Sequence, residues 1–310
     1  MKRTFIILSA LLVSLALFPC KASNKISDNS MANPPKHVFL IGFDGLSAYC
    51  LKNEAPMPVF KKLMNEGAYT LENRSVLPSS SAVNWASMFM GAGPELHGYT
   101  EWGSKTPELP SRVLTKHNIF PDIYSLLRES FPNAELGFFY EWDGMKYVID
   151  TLSVNCVKPI SLSVENNQKG VELVTSYIKE KKPLFCSVIF NEPDGVGHSK
   201  GWESAEYTEM LAFLDHTLSR IVAAIDEAGI RDESIIILSA DHGGINTGHG
   251  GKTMKEMQTP LVFQGKGIKK GFQISESTMV YDVAGTISYI FGVNQPQVWI
   301  ARPIKTIFEK

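Results

Sequence analysis

The chain has few cysteines, and none of them is spaced for a metal-binding or redox motif. Four cysteines occur in 310 residues, and no two are close enough in sequence to form the paired pattern of a cysteine–zinc module. If the first is lost with a leader segment, Cys50, Cys156 and Cys186 remain, an odd number that allows at most one disulfide. Cys186 lies within an apolar run, which predicts a buried and inert thiol.

The chain also lacks an excess of charge of either sign, internal repeats and low-complexity segments. Its net charge of −2 gives no reason to expect a nucleic-acid duplex as a partner, because duplex-binding proteins neutralise phosphates with clustered basic side chains. Hydrophobic residues make up 44% and charged residues 20% of the chain, which is typical of a globular protein with a large core. An anionic substrate would therefore be bound locally, by metal ions or a few side chains.

The N-terminal apolar run is too short to span a bilayer as a helix of the mature protein. A basic start precedes the run Phe5–Phe18, which is the pattern of an export signal. Two kinds of processing stay open: cleavage after Ala22, or lipidation of Cys20, which would anchor the protein to a membrane. Both predict an exported protein of the periplasm or cell envelope. Residues 1–22 are therefore predicted to be a signal peptide, and residues 23–35 a flexible leader.

Apolar and amphipathic segments alternate along the rest of the chain. This alternation predicts an α/β fold with a mostly parallel central sheet and helices on both faces. Residues 36–310 are predicted to be one catalytic domain, with a cap-like insertion at about 95–160. The segments that matter most for function are the predicted strands His37–Phe43, Leu184–Phe190 and Ile235–Ser239, and the predicted helices Ser81–Met90, Gln168–Lys181 and Ser204–Ala228.

Side chains that bind divalent metal ions follow three of the predicted strands. One more histidine stands in a glycine-rich loop, where the backbone can approach a ligand closely. Because the carboxyl ends of parallel strands meet at one edge of a sheet, we expect these side chains to lie close together. They are Asp44, Asp194, His198, Asp241, His242 and His249.

A run of three serines stands immediately before the predicted helix Ser81–Met90. The start of a helix offers backbone N–H groups and a positive dipole end to a phosphoryl group, so Ser80 or Ser81 is a candidate nucleophile. The alternative is that Ser79, Ser80 and Ser81 only cap the helix.

The ordered set of motifs resembles the alkaline phosphatase superfamily, and most closely its type I phosphodiesterase and nucleotide pyrophosphatase branch. The resemblance covers nearly all of the chain after the leader. The matching segments are Phe43-Asp44-Gly45, Pro78-Ser79-Ser80-Ser81, Gly91–Gly98, Asp194 with His198, and Asp241-His242-Gly243.

The resemblance implies two divalent metal ions, which in this superfamily are usually zinc. Three imidazoles together with carboxylates also suit zinc on ligand chemistry. The register of the motifs implies that Ser81 is the nucleophile and forms a phosphoserine intermediate. The implied ligands are Asp194, His198 and His249 for one ion, and Asp44, Asp241 and His242 for the other, with the Ser81 oxygen bound beside the second ion as a further metal contact.

Two positions depart from the pattern of the branch. Its nucleophile is usually threonine, and an asparagine that contacts a phosphoryl oxygen usually follows the His-Gly pair. Here His97-Gly98 is followed by Tyr99-Thr100-Glu101-Trp102. We expect Asn84, one helical turn after Ser81, and Trp102 to line the substrate site instead. His97 itself is predicted to be a structural histidine bonded to a neighbouring backbone group.

These inferences predict an exported two-metal hydrolase of small phosphate esters, with phosphodiester or nucleotide pyrophosphate bonds as the expected target. Three alternatives stay open. They are a phosphomonoesterase, a phosphotransferase acting on lipid or glycan head groups, and a non-catalytic metal-binding protein of the same fold. No cysteine or serine stands in the sequence context typical of sulfatases, so sulfate-ester hydrolysis is not expected.

Overall fold

The computed structural model describes residues 33–52, 55–164 and 167–309. The predicted signal peptide, the candidate lipidation site Cys20 and most of the predicted leader lie outside these residues. None of the helices within the described ranges has the length and apolar character needed to cross a membrane.

Within the described part of the chain, eight strands form one sheet in the order β4-β3-β5-β1-β6-β7-β2-β8. The five strands from β4 to β6 are parallel to one another, whereas β7 runs antiparallel to both of its neighbours. The strands are β1 (His37–Asp44), β2 (Ala68–Arg74), β3 (Leu136–Tyr140), β4 (Cys156–Pro159), β5 (Phe185–Pro193), β6 (Ser234–Ala240), β7 (Gln258–Gly265) and β8 (Phe272–Gln273).

Helices cover both faces of this sheet, as predicted. Alternate residues of β1 point to opposite faces: Val38 and Leu40 pack toward α3, α5 and α10, while Phe39 and Ile41 pack toward α2, α6 and α8. The helices are α1 (Ala48–Lys52), α2 (Pro58–Asn65), α3 (Ser81–Met90), α4 (Pro94–His97), α5 (Ile123–Ser130), α6 (Gln168–Lys181), α7 (Asp194–Lys200), α8 (Ala205–Glu227), α9 (Met254–Met257) and α10 (Asp282–Ile290).

The sheet takes up much of the predicted insertion at 95–160. Helix α5 and strands β3 and β4 lie within this span, and β3 pairs with β5 in the parallel part of the sheet. The long connection between α4 and α5, residues 98–122, stays outside the regular elements and contributes to the wall of the site described below.

The three cysteines of the described residues are free thiols. Cys186 is fully buried in β5, and burial raises the pKa of its thiol well above the usual range. The prediction of a buried thiol at this position is confirmed.

Candidate active site

The carboxyl ends of three adjacent strands, β5, β1 and β6, bring three aspartates together. Asp44 is the last residue of β1, Asp194 directly follows β5, and Asp241 directly follows β6. Gly45 makes their approach feasible, because it has a φ of +71° and a Cβ there would lie 2.9 Å from the Asp194 Cα atom. The Gly45 N–H also donates to Asp241 Oδ1 at 3.1 Å. A glycine after β1 is therefore required by the site.

The six predicted metal ligands form two groups of three. Asp194, His198 and His249 make one group, Asp44, Asp241 and His242 make the other, and the ligand atoms within each group lie within 4.8 Å of one another. The two groups are neighbours, because the rings of His242 and His249 stack with their centroids 3.8 Å apart. The geometry thus brings together every residue predicted as a ligand.

The three histidines are held in one tautomer by backbone carbonyls. Since a carbonyl oxygen can only accept, the Nδ1 atom of each ring carries the hydrogen and the Nε2 atom keeps its lone pair. Burial lowers the pKa of His242 and His249, which keeps both rings neutral. The donor–acceptor pairs, each 2.9 Å long, are His198 Nδ1 to Thr247 O, His242 Nδ1 to Gly243 O, and His249 Nδ1 to Ser79 O.

Two of the three carboxylates of the site, those of Asp241 and Asp194, leave a buried oxygen without a hydrogen-bond donor in the described chain, whereas both oxygens of Asp44 accept hydrogen bonds. Asp44 Oδ2 accepts from Trp85 Nε1 at 3.1 Å, while Asp241 Oδ2 and Asp194 Oδ1 are buried without any hydrogen-bond partner in the described chain. Burial, followed by the charges of Asp241 and Asp194, raises the pKa of Asp44 well above its usual range.

Carboxylate oxygens of both groups, including the two unpartnered ones, face Nε2 lone pairs, with which they cannot form hydrogen bonds. The Nε2 atom of His242 lies 3.3 Å from Asp241 Oδ2 and 3.4 Å from Asp44 Oδ1. The Nε2 atom of His249 lies 3.6 Å from Asp194 Oδ1. Buried acceptors that face one another are costly unless a cation lies between them. The residues present therefore fit a divalent metal ion in each group.

Ser81 is the first residue of α3 and lies against the second of these groups. Its Oγ atom is 3.3 Å from Asp44 Oδ1 and 3.2 Å from His242 Nε2. The residue is 7% exposed, and it lines the cavity in front of the two groups. The predicted nucleophile is thus within reach of both a substrate and the ligands of one cation.

The other two serines do not act as helix caps. Ser80 occupies the N-cap position of α3 but makes no side-chain capping bond, and its Oγ atom is buried without a partner in the described chain. Ser79 Oγ donates to Gly251 O at 2.7 Å and accepts from Gly250 N at 3.2 Å. Ser79 therefore ties the start of α3 to the loop that carries His249.

A cavity of about 740 Å³ opens in front of Ser81. Beyond the serines and the metal-binding groups, its wall includes Glu101, Trp102, Trp142 and Asn191. The carbonyl of Trp102 accepts from the N–H of Ala82 at 3.1 Å, which fixes Trp102 beside the nucleophile. Trp102 was expected to line the site, and it does.

Sequence reasoning missed Asn191 and Trp142 as part of this wall. Asn191 stands near the end of β5, three residues before Asp194, so its place beyond a buried strand was a usable signal. Trp142 follows β3, and only the pairing of β3 with β5 brings it to the same cavity.

The sequence profile of the type I phosphodiesterases and nucleotide pyrophosphatases matches residues 38–267. The chain belongs to this family. Ectonucleotide pyrophosphatase/phosphodiesterase family member 1 of Rattus norvegicus is 26% identical over 223 residues, which cover 68% of this chain and 24% of the relative. GPI ethanolamine phosphate transferase 1 of Candida glabrata is 24% identical over 312 residues, which cover 88% of this chain and 33% of that relative. The chain thus spans a quarter to a third of the length of these relatives.

Solved structures share the fold of the chain. The murine ectonucleotide pyrophosphatase/phosphodiesterase 5, in an inactive form in complex with AMP, superposes with a TM-score of 0.71 at 14% identity. The match covers 88% of this chain and 100% of the murine chain. Together with a similar match to an alkaline phosphatase, it confirms the predicted alkaline phosphatase-like fold.

Asn84 does not take the place of the phosphodiesterase family's phosphoryl-binding asparagine, and the prediction that it lines the substrate site is wrong. Its side chain is fully buried. Its Oδ1 atom accepts from Val76 N at 2.7 Å, and its Nδ2 atom donates to Pro78 O and Ser80 O, both at 3.0 Å. Every residue of α3 is buried, so a side chain one turn after Ser81 points into the protein and holds the serine loop.

His97 agrees with its predicted structural role. It is fully buried, its Nε2 atom lies 3.0 Å from Ser87 Oγ, and its Nδ1 atom accepts from the backbone N–H of Tyr99 at 3.1 Å. Burial lowers the pKa of His97 to about 3, so the ring stays neutral and both of its nitrogens are occupied. His97 therefore shapes the loop that leads to Trp102.

Proposed function

We propose that the protein is a two-metal phosphoesterase that cleaves phosphodiester or nucleotide pyrophosphate bonds through a phosphoserine intermediate. The observation that carries this proposal is the position of the Ser81 hydroxyl, at the start of a helix and within 3.3 Å of Asp44 and His242. Membership of the type I phosphodiesterase and nucleotide pyrophosphatase family supports it. A small phosphorylated molecule is the proposed substrate.

In the proposed reaction the Ser81 oxygen attacks phosphorus. The bond from Ser81 Oγ to phosphorus forms, the bond to the leaving oxygen breaks, and the leaving group departs with a proton. Water then attacks the phosphoserine, its oxygen replaces Ser81 Oγ on phosphorus, and the serine regains its hydrogen. The start of α3 stabilises the phosphoryl charge through its dipole end.

We propose zinc as the metal of both groups. Bound divalent ions would lower the pKa of the serine hydroxyl and stabilise the charge of the leaving oxygen. Asp194, His198 and His249 would hold one ion, and Asp44, Asp241 and His242 the other. Each group combines imidazole nitrogen with carboxylate oxygen, a donor set that suits zinc.

We also propose that the protein is exported to the periplasm or cell envelope. The basic start and the apolar run Phe5–Phe18 support this proposal. Mass spectrometry of the N-terminus from the native host would distinguish cleavage after Ala22 from lipidation at Cys20.

The choice between a diester and a monoester is the direct test of the proposed reaction. We expect the zinc-loaded protein to show a larger kcat/KM for bis-p-nitrophenyl phosphate than for p-nitrophenyl phosphate, because the cavity has room for a second organic group. Release of p-nitrophenol measures both reactions. A larger kcat/KM for the monoester would make the protein a phosphomonoesterase instead.

A phosphotransferase is the second candidate, and one comparison favours it. The fungal relative named as an ethanolamine phosphate transferase matches over 88% of this chain. A phosphoserine can pass its group to an alcohol as well as to water. With bis-p-nitrophenyl phosphate and added glycerol, a phosphotransferase would form glycerol p-nitrophenyl phosphate and p-nitrophenol. A strict hydrolase would form only p-nitrophenyl phosphate and p-nitrophenol.

Asn191 is the proposed replacement for the missing phosphoryl-binding asparagine. Its backbone N–H donates to Glu141 Oε2 at 2.8 Å, which fixes the residue in place. Its side-chain amide lines the cavity and has no hydrogen-bond partner among the described residues. The Asn191 amide is therefore free to donate to a phosphoryl oxygen.

We expect replacement of Asn191 and of Asn84 with alanine to have different effects on kcat/KM and on the free energy of unfolding. Asn191→Ala should lower kcat/KM by about 10- to 100-fold, the value of a lost hydrogen bond to a charged group, and change the free energy of unfolding by less than about 1 kcal/mol. Asn84→Ala should lower the free energy of unfolding by about 2–4 kcal/mol, because it leaves several buried groups unpaired. Urea denaturation and steady-state kinetics measure both. Unchanged kinetics in Asn191→Ala would exclude its amide as a phosphoryl contact.

A further inference from the structure

We propose that the cavity in front of Ser81 selects phosphoesters whose organic group carries an ammonium, as in esters of choline or ethanolamine. This inference rests on the proposed function and names the substrate class of the same site. It is carried by two indole rings and an unpaired carboxylate that line one cavity, together with the lack of any lysine or arginine in the described wall of that cavity.

The charge of the wall argues against a polyanionic substrate. Beyond the serines and the metal-binding groups, the wall consists of Pro78, Glu101, Trp102, Trp142, Asn191 and Gly250. A second phosphate, as in a nucleotide pyrophosphate, is normally bound by arginine, lysine or clustered N–H donors. Here the only ionisable side chain in this part of the described wall is an acid. The wall therefore favours a neutral or cationic organic group.

The carboxylate of Glu101 is free to meet a cation. The backbone of Glu101 is fixed, because its N–H donates to Ser104 Oγ at 3.1 Å and its carbonyl accepts from the same hydroxyl at 3.0 Å. Its side chain is exposed and forms no ion pair or hydrogen bond within the described ranges. Glu108 in the same loop differs, since its carboxylate accepts from Thr100 N and Ser104 Oγ. Only Glu101 of these two acids is left unpaired.

Both tryptophans have a fixed backbone carbonyl, which accepts from Ala82 N at Trp102 and from Met145 N at Trp142, each at 3.1 Å, and both rings keep some exposure. Trp102 is 67% exposed, although its carbonyl is fixed to Ala82 at the start of α3. Trp142 is half-buried and packs over Gly144, where a Cβ would lie 2.1 Å from its ring. Exposed indole faces bind ammonium groups through cation–π attraction, with about 0.5–2 kcal/mol for each ring.

The two lysines beside Tyr147 do not belong to this wall. Lys105 and Lys146 lie over the ring of Tyr147, at 5.7 and 5.1 Å from its centroid, and Lys146 also forms an ion pair with Asp143. Neither lysine lines the cavity. No lysine or arginine in the described wall of the cavity therefore competes with a substrate cation for Glu101.

The test compares diesters that share one leaving group and differ only in the second organic group. The substrates are p-nitrophenyl phosphorylcholine and its uncharged isostere p-nitrophenyl 3,3-dimethylbutyl phosphate, with bis-p-nitrophenyl phosphate and the p-nitrophenyl ester of thymidine 5′-phosphate as references. We expect kcat/KM for the choline ester to exceed that for the isostere by at least about 10-fold, the size of one to two cation–π contacts and a charge pair.

Two variants assign this preference to the wall. Glu101→Gln and Trp142→Leu should each bring the ratio of kcat/KM for the choline ester to kcat/KM for its isostere toward one. Glu129→Gln, which alters an exposed carboxylate of α5 outside the cavity, is the matched control and should keep the full ratio.

The outcomes separate this inference from the proposed function. Cleavage of bis-p-nitrophenyl phosphate with equal rates for the choline ester and its isostere would overturn the inference and leave the phosphodiesterase proposal standing. Faster cleavage of the thymidine ester than of the choline ester would overturn it in favour of a nucleotide substrate. Failure to cleave any of the four diesters would contradict the proposed function itself.

Discussion

Replacement of Ser81 with alanine is expected to abolish turnover almost completely, by about 10³-fold or more, while both metal ions stay bound. The reason is that the variant loses the oxygen that attacks phosphorus but keeps every carboxylate and imidazole of the two groups. Steady-state kinetics with bis-p-nitrophenyl phosphate measure the first effect, and the metal content of the purified variant measures the second.

Two further variants make the Ser81→Ala result specific. Ser80→Ala removes the neighbouring hydroxyl, which is buried and has no partner in the described chain, and we expect it to keep turnover within about tenfold of the wild type. Ser81→Thr restores a hydroxyl at the critical position and should recover measurable activity. Near-normal activity in Ser81→Ala together with a loss in Ser80→Ala would move the nucleophile to Ser80.

Replacement of His249 with alanine is expected to remove one of the two bound ions and to lower turnover by about 100-fold or more. His249 belongs to the group with Asp194 and His198, while the ligands Asp44, Asp241 and His242 remain intact. A site that loses one of three protein ligands binds its metal much more weakly. The zinc content per chain, measured after dialysis against a weak chelator, should therefore fall from two to one.

His198→Ala is the companion variant, because it removes a ligand of the same group from a different element, α7. Both variants should lose the same ion. His216→Ala, which changes an exposed histidine of α8, is the control and should keep two ions. Two ions bound with native affinity in His249→Ala would show that His249 is not a ligand.

The sequence was sufficient to predict the part of the site that depends on strand ends. Asp44 and Asp241 stand at the ends of apolar runs, Asp194 follows another run after three residues, and parallel strands of a sheet place such residues at one edge. The hydroxyl at the start of α3 was predictable for a similar local reason. The spacing of histidines after two strands and the glycine-rich loop predicted the three remaining ligands, His198, His242 and His249. The structure places all six predicted ligands in two groups.

The walls of the cavity could not be predicted in the same way, because they depend on contacts between distant segments. Trp142 reaches the cavity through the pairing of β3 with β5, and no local pattern specifies the partner of a strand. The prediction for Asn84 failed because it rested only on the distance of one helical turn from Ser81. Every residue of α3 is buried, so the sequence pattern does not show which side chains of this helix face the cavity. The two-residue strand β8 was also missed, since it is too short to show a period.

Ser79 bonds to the His249 loop from three directions, through its carbonyl to His249 and through its hydroxyl to Gly250 and Gly251. These three hydrogen bonds connect the start of the helix that carries Ser81 to the loop that carries His249. Whatever immobilises one of them lowers the entropic cost of ordering the other, and such linkage acts equally in both directions. We therefore expect binding of a metal ion at His249 to reduce the motion of the start of α3 as well.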